Sequence, residues 1–352
     1  MPAIEDFFAT YVADLTRSLT RLESAMDPQA EPTQPELLAQ LIAAIDRCEL
    51  ACGELARTLE ADTPLLRQTQ ARFRNVIEPW FSLSWYMRHA LAKPRGYAGD
   101  YQMLTAIYEG RTKSQGLGGY IDAYFLQTEL GQAIKNRLLM ARQFLVDELL
   151  VRRRMTVLDV ASGPGREYTG PFDLPDDCLM QVACVDQDEA ALDCIQQTIV
   201  PQLPPQIQLE GVQHNALKMG NSKRNIEVFG QRDVIYSVGL FDYIPTRLLI
   251  RMLAGLRNSL AEGGVVYLAF KDCRFYNAAK YQWLVDWYFY QRTEEECRDL
   301  LVAAGYNMLD VTMTRDATGS IINFICRNQP IDQAPEVVDE TADVDATQTL
   351  AE

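Results

Sequence analysis

Histidine is nearly missing: His89 and His214 are the only two in 352 residues. Zinc hydrolase sites and Ser-His-Asp triads both need histidines, so those chemistries have little material here. The eight cysteines are scattered. Cys48 and Cys52 stand four apart on an expected helix, but no His or second Cys pair completes a site. Reduced cysteines packed in or near a core are expected, with no metal. Long apolar runs are absent too. No stretch could cross a bilayer, and the opening MPAIEDFFAT lacks the basic start and apolar core of a signal peptide. No membrane insertion and a cytoplasmic location are therefore expected. Basic residues are outnumbered, 33 Lys and Arg against 48 Asp and Glu, for a formal net charge of −15. Residues 329–352 hold seven acidic side chains and no Lys or Arg, and lack periodicity, which reads as a disordered acidic tail. The remaining body still stands at −8, and no basic patch with interleaved aromatics offsets it. A nucleic-acid partner is not expected.

Against these absences stands a hydrophobic fraction of 48%, enough for a sizeable core. Residues 3–25 place Phe7, Phe8, Tyr11, Val12, Leu15, Leu19 and Leu22 at helical spacing. After a Pro-rich break, 35–60 and 64–92 read as two more helices, so 1–92 is expected to be a helical cap. Residues 93–139 follow as a glycine-rich junction, KPRGYAGDYQML onward, with helices that could act as a lid.

From 140 to 328 the pattern becomes strand, glycine turn, helix. Strands are expected at 155–160, 180–185, 206–211, 233–238 and 264–270. Short apolar strands separated by helices indicate an α/β fold with a mostly parallel sheet covered on both faces. The runs 306–315 and 320–328 lie too close together for a helical crossover, which predicts a hairpin with a terminal antiparallel strand.

Four signals mark a candidate site along this unit. In VLDVASGPGREY an apolar strand feeds a turn containing Gly163 and Gly165, but the third glycine of a dinucleotide fingerprint is missing. Asp186 follows the second strand, 21 residues beyond Gly165, where a carboxylate can accept both ribose hydroxyls of a nucleoside ligand. Asp188 is the better N-cap for the next helix, which leaves Asp186 free. Asn215, after the third strand, could reach an adenine edge, although it also suits an Asx turn. SVGLFDYIP supplies Gly239 for close approach, and Phe241 and Tyr243 as walls.

In their order and spacing these signals resemble class I S-adenosylmethionine-dependent methyltransferases, over about half the chain. The resemblance implies a Rossmann-like fold and S-adenosylmethionine as cofactor, with Ser162, Gly163 and Gly165 on its methionine and adenosine parts, Asp186 on the ribose and Asn215 or His214 by the adenine. The loop departs from the family's commoner acidic-x-G-x-G form through Ala161 and Ser162. KPRGYAGDYQML further resembles a bacterial subgroup with an N-terminal helical region, similar to 3-hydroxy fatty acid methyl ester synthases and to enzymes that cyclise S-adenosylmethionine to azetidine-2-carboxylate.

Arg95, Asp100, Glu167 and Arg166 are available for the cofactor's ammonium and carboxylate. Tyr97, Tyr101, Tyr168, Tyr236 and Tyr243 could face its sulfonium. Tyr97, Asp100 and Tyr168 are the residues expected to do chemistry. A carboxylate acceptor is already ionised near neutral pH and needs no base, so the shortage of histidines favours O-methylation of a small carboxylic acid. The cyclisation reading stays beside it, as does a non-catalytic binding protein. Trp283, Trp287 and Tyr288 either line a substrate channel or bury against the N-terminal helices. Monomer and homodimer are both compatible with the sequence.

Overall fold

The computed structural model describes residues 2–170 and 172–328, so the acidic tail expected at 329–352 lies outside the described residues. Helix α1 (Pro2–Phe7) runs through a π segment, Phe8–Val12, into α2 (Ala13–Ser24), which buries Leu15, Leu19 and Leu22 along one stripe. Helix α3 (Pro35–Thr58) begins on a proline, whose missing N–H is no loss in a first turn. The periodicity over 64–92 suggested one helix, but there are two, α4 (Thr63–Phe81) and α5 (Trp85–Ala92). Ser84 divides them. Its hydroxyl caps α5 by accepting from the Met87 amide and donates to the buried Asp122 carboxylate at 2.5 Å. Helices α6 (Tyr101–Glu109), α7 (Gly116–Gln127) and α8 (Glu129–Arg152) complete the N-terminal run.

A seven-stranded sheet follows: β1 (Arg154–Val160), β2 (Leu179–Asp186), β3 (Ile207–Gln213), β4 (Arg232–Val238), β5 (Leu260–Lys271), β6 (Val311–Arg315) and β7 (Ile321–Arg327). Between them lie α9 (Glu189–Cys194), α10 (Ser222–Phe229), α11 (Thr246–Arg257), α12 (Ala278–Val285) and α13 (Glu294–Ala303). The spatial order is β3-β2-β1-β4-β5-β7-β6. Strands β1 to β5 pair in parallel, and β7 runs antiparallel to both β5 and β6. This is a Rossmann-like α/β fold with a mixed, mostly parallel sheet. The chain winds outward in opposite directions from β1 and β4. A crevice therefore opens at their carboxyl ends, where ligands of such sheets bind.

The sheet is packed on both faces, around Leu158, Ile235 and Phe270 on one side and Val157, Tyr236 and Tyr267 on the other. A separate core joins the N-terminal helices to residues 276–289: Trp283 is fully buried, its ring 5.4 Å from Phe7 and 5.5 Å from Phe73. The segment after β5 thus reaches across to the helical layer and forms one wall of the crevice. Among the described residues no helix is long and apolar enough to cross a membrane.

Candidate functional site

The loop leaving β1 carries the first part of the site. Ala161 adopts φ +61°, a left-handed backbone that is costly for any residue with a side chain, and it lines the crevice. Next to it the Gly163 amide donates to Asp186 Oδ2 at 2.9 Å. The Asp188 amide donates to Asp186 Oδ1 at 2.9 Å. A carboxylate has about four acceptor positions, so two amides fix its orientation and leave acceptor capacity for a ligand in the cavity that Asp186 lines. Burial pushes the Asp186 carboxyl up, and the amides oppose that shift. Asp188 caps α9 through the Ala190 amide, the role the sequence reading gave it.

The cavity has a volume of about 300 Å³ and lies across the carboxyl ends of β1, β2, β4 and β5. Gly163, Asp186, Asn215 and Gly239 line it, joined by Tyr97 and Gly99 from the junction. Asn215 also makes the Asx turn, its side chain accepting from the Leu217 amide at 2.8 Å. At Gly239, φ is +95°, and a Cβ would stand 2.7 Å from an Arg137 guanidinium nitrogen. Only glycine lets that guanidinium lie on the end of β4. The junction is strapped over the cavity from both sides. Arg95 makes a two-pronged ion pair with Asp188, with Nε to Oδ2 at 2.7 Å. Lys93 reaches Asp286 at 2.7 Å. Gly99 lies against Trp287 and Tyr243 so closely that a Cβ would sit 2.9 Å from the indole. Trp287 Nε1 donates to the Tyr243 hydroxyl at 2.7 Å.

Other residues singled out from the sequence lie behind this surface. Asp100 is fully buried and caps α6 through the Met103 amide, with both oxygens 2.9 Å from His89 Nε2. It anchors the strap and does not line the cavity. Tyr168 is buried beneath the loop, its hydroxyl 3.0 Å from Asp159 Oδ2 and 2.6 Å from the Tyr236 hydroxyl. Gly165 packs on Ile195, and Arg166 faces Glu109 at 3.8 Å. Ser162 and Glu167 are buried at the loop, and Ser162 Oγ and Glu167 Oε2 have no partner. Burial pushes the Glu167 carboxyl up to about 7, against its own backbone hydrogen bond and the Arg137 and Arg142 charges. His89 stacks on Trp85 and His214 meets the edge of Phe229, and neither lines the cavity. Trp283 belongs to the helical core, and Tyr288 donates to Gln70 at 2.6 Å under the Arg67 guanidinium. Of the aromatic run only Trp287 reaches the cavity.

Three residues escaped the sequence reading. Arg137 is 3% exposed on α8 and lines the cavity, and its Nε has no partner. Mid-helix, it reads like any surface cation. Lys271 ends β5, also lines the cavity, and pairs with Asp242 at 2.6 Å. A cation closing the apolar run VVYLAFK, at the sheet edge where ligands bind, was the signal available for it. Burial lowers the Lys271 ammonium, Asp242 opposes this, and Arg137 adds to it. Asp159 is the carboxylate under the loop. Burial pushes it well up, with nearby Glu167 adding to that and the Tyr236 and Tyr168 hydroxyls opposing it.

No protein-family model matches this chain, and no curated protein matches its sequence. Among solved structures, it is similar to a possible exported protein from Bordetella parapertussis, with a TM-score of 0.54 and 18% identity over 69% of this chain and 86% of that one. Magnesium protoporphyrin IX methyltransferase from Synechocystis PCC 6803 with bound SAM gives 0.40 and 16%, over 57% and 84%. Human N-acetylserotonin methyltransferase in complex with SAM gives 0.40 and 13%, over 68% and 70%. At these identities the first similarity shows a shared fold.

Proposed function

We infer that the cavity binds S-adenosylmethionine and that the protein methylates a small-molecule carboxylic acid. The observation that carries this reading is Asp186, set at the end of β2 by two backbone amides and open to a cavity bounded by the β1 loop and Gly239. The antiparallel β7 beside β5 fits the class I methyltransferase architecture. The site's chemistry also fits the cofactor: among the cavity-lining residues, Arg137 is buried with its Nε unpartnered, which suits the carboxylate of an amino acid group. When bound, the cofactor supplies a methyl group on a positively charged sulfur, open to in-line displacement.

The chain's own groups have separable roles. Asp186 accepts from ribose hydroxyls, and Asn215 borders the adenine. Tyr97, Tyr101 and Tyr243, all lining the cavity, offer ring faces to a cation. Arg95 holds the strap shut on Asp188 and excludes water. Asp100 and Tyr168 act as positioning residues, one under the strap and one under the loop. With no histidine in the cavity lining, an acceptor that arrives ionised is favoured, and a carboxylate does so.

The cavity volume favours a second reading. About 300 Å³ falls at the lower end of ligand pockets, which run roughly 300–1,000 Å³, and suits a reaction with one substrate. In that case S-adenosylmethionine is itself the substrate. Its amine forms a bond to its own γ-carbon, the γ-carbon–sulfur bond breaks, methylthioadenosine leaves, and the amine proton passes to water. Mass spectrometry of the purified protein with S-adenosylmethionine alone separates the two. Methylthioadenosine with a product of azetidine-2-carboxylate mass establishes cyclisation and refutes methyl transfer. An unchanged cofactor that binds, followed by S-adenosylhomocysteine formation once free carboxylic acids are added, supports the methyltransferase. Absence of binding overturns both.

A further inference from the structure

The cavity is unevenly charged. Its lining holds one carboxylate, Asp186, and two cations, Arg137 and Lys271. Both cations are buried, Arg137 at 3% and Lys271 at 2% exposure. Lys271 has its counter-charge: Asp242 takes the ammonium at 2.6 Å and the Lys271 amide at 3.0 Å. Arg137 has none. No carboxylate among the described residues lies within ion-pairing distance of it, and its Nε is unpartnered.

The two cations share a face of the sheet. Ala133 of α8 packs against Ala269 of β5, and Lys271 is the next residue along that face of the strand. Arg137 lies one helical turn beyond Ala133, with its guanidinium on Gly239. Tyr243 stands on the same side, its ring 5.8 Å from the Lys271 ammonium. Its hydroxyl oxygen already accepts from Trp287, so the hydroxyl proton is free to be donated. This part of the lining is therefore rich in donors and has no acceptor to match Arg137. A buried guanidinium with no carboxylate in contact is costly, and an anion brought in by a ligand lowers that cost.

Resting on the reading of the cavity as a ligand site, we propose that Arg137, with Lys271 beside it, forms a buried anion seat that takes a ligand carboxylate. Arg137 makes the charge pair, and its fork suits the two oxygens of a carboxylate. Lys271, held by Asp242, adds a second positive field. The carboxylate has two sources: the amino acid end of the nucleoside ligand, or the acceptor acid.

The test is a calorimetric and thermal-shift comparison of the wild type with Arg137→Gln and Lys271→Met. The probes are S-adenosylhomocysteine, methylthioadenosine (which lacks the carboxylate) and octanoate. If the nucleoside supplies the anion, the wild type prefers S-adenosylhomocysteine, and in Arg137→Gln that preference shrinks by roughly 10- to 100-fold. If the acceptor supplies it, that preference is unchanged, but octanoate raises the unfolding midpoint of the wild type and not of Arg137→Gln. Lys271→Met leaves the buried Asp242 without its ion-pair partner and lowers the unliganded midpoint, so it is read by the ligand-induced shift alone, which is weakened more mildly in either case. Unliganded Arg137→Gln is expected to unfold no earlier than the wild type, since a cation without a partner has been removed; a lower midpoint assigns Arg137 a structural role and overturns the proposal. Equal probe responses in the wild type and Arg137→Gln overturn it as well. Loss of nucleoside binding in the wild type refutes the cofactor reading instead, while the octanoate arm still decides the anion seat.

Discussion

Asp186→Asn tests the cofactor reading most directly. Each carboxylate oxygen accepts one backbone amide, from Gly163 and from Asp188, both at 2.9 Å. Asparagine keeps one acceptor oxygen and turns an NH₂ group toward the other amide, so a donor faces a donor. It also removes the charge that would accept from ribose. Losing a hydrogen bond to a charged group costs about 1.5–3 kcal/mol, or roughly 10- to 100-fold in affinity. In the unliganded protein the unsatisfied amide costs about 1–3 kcal/mol, offset in part because burial already holds the ionised Asp186 at a disadvantage. A carboxyl raised in the folded state contributes stability below its unfolded pKa and loses that contribution as pH rises through the folded value. Ligand binding through the ionised form runs the other way and weakens as pH falls. Titration with S-adenosylhomocysteine at neutral and mildly acidic pH, beside thermal unfolding, reads both. The reasoning fails if Asp186→Asn binds within twofold of the wild type, or if its affinity has the same pH dependence.

Arg95→Ala opens one side of the strap. Release of S-adenosylhomocysteine, followed by stopped flow, is expected to speed up severalfold with an unchanged unfolding midpoint; an unchanged release rate would remove the strap's role. Glu49 is buried on α3, where Tyr124 donates to it at 2.5 Å and Lys280 stands 3.4 Å away. Burial pushes it up to about 7 from 4.5, so its contribution is complete in acid and lost as pH rises from about 4.5 through 7. Glu49→Gln should flatten that decline by on the order of 3 kcal/mol, and denaturant unfolding across the window would show it; an unaltered slope contradicts the assignment. Gly255→Ala puts a Cβ 2.0 Å from the Met219 carbonyl oxygen and 2.8 Å from Gly220 Cα, both backbone atoms. It should destabilise the fold by about 1–3 kcal/mol, and wild-type denaturation behaviour would speak against this packing of α11.

Much of the sheet was legible because its signals are local. Apolar β-branched runs bounded by turn residues placed β1 to β5, and the short gap between 306–315 and 320–328 forced the hairpin of β6 and β7. The helix break at Ser84 was less visible, since its cause is Asp122, 38 residues away. The same limit applies to the site. Asp186 stood out by its spacing from the glycine loop, whereas Arg137 becomes distinctive only when α8 is laid against β4 and β5. Tyr168 follows the loop in sequence, yet its side chain turns beneath it to Asp159 and Tyr236. Adjacency along the chain does not fix which side of a turn a side chain takes.

The packing of Trp283 between Phe7 and Phe73 bears on how the chain reaches its native state. Partners more than 200 residues apart raise the contact order and delay the closing step of folding. During synthesis the N-terminal helices would leave the ribosome well before the segment 276–289 that completes their core. In the interval Phe7 and Phe73 would have no indole to cover them, and helices made early would be exposed to association with other chains. The last step of assembly would then be the docking of 276–289 onto those helices, which also brings Trp287 to the ligand cavity. Folding of the helical layer and completion of the site become one event.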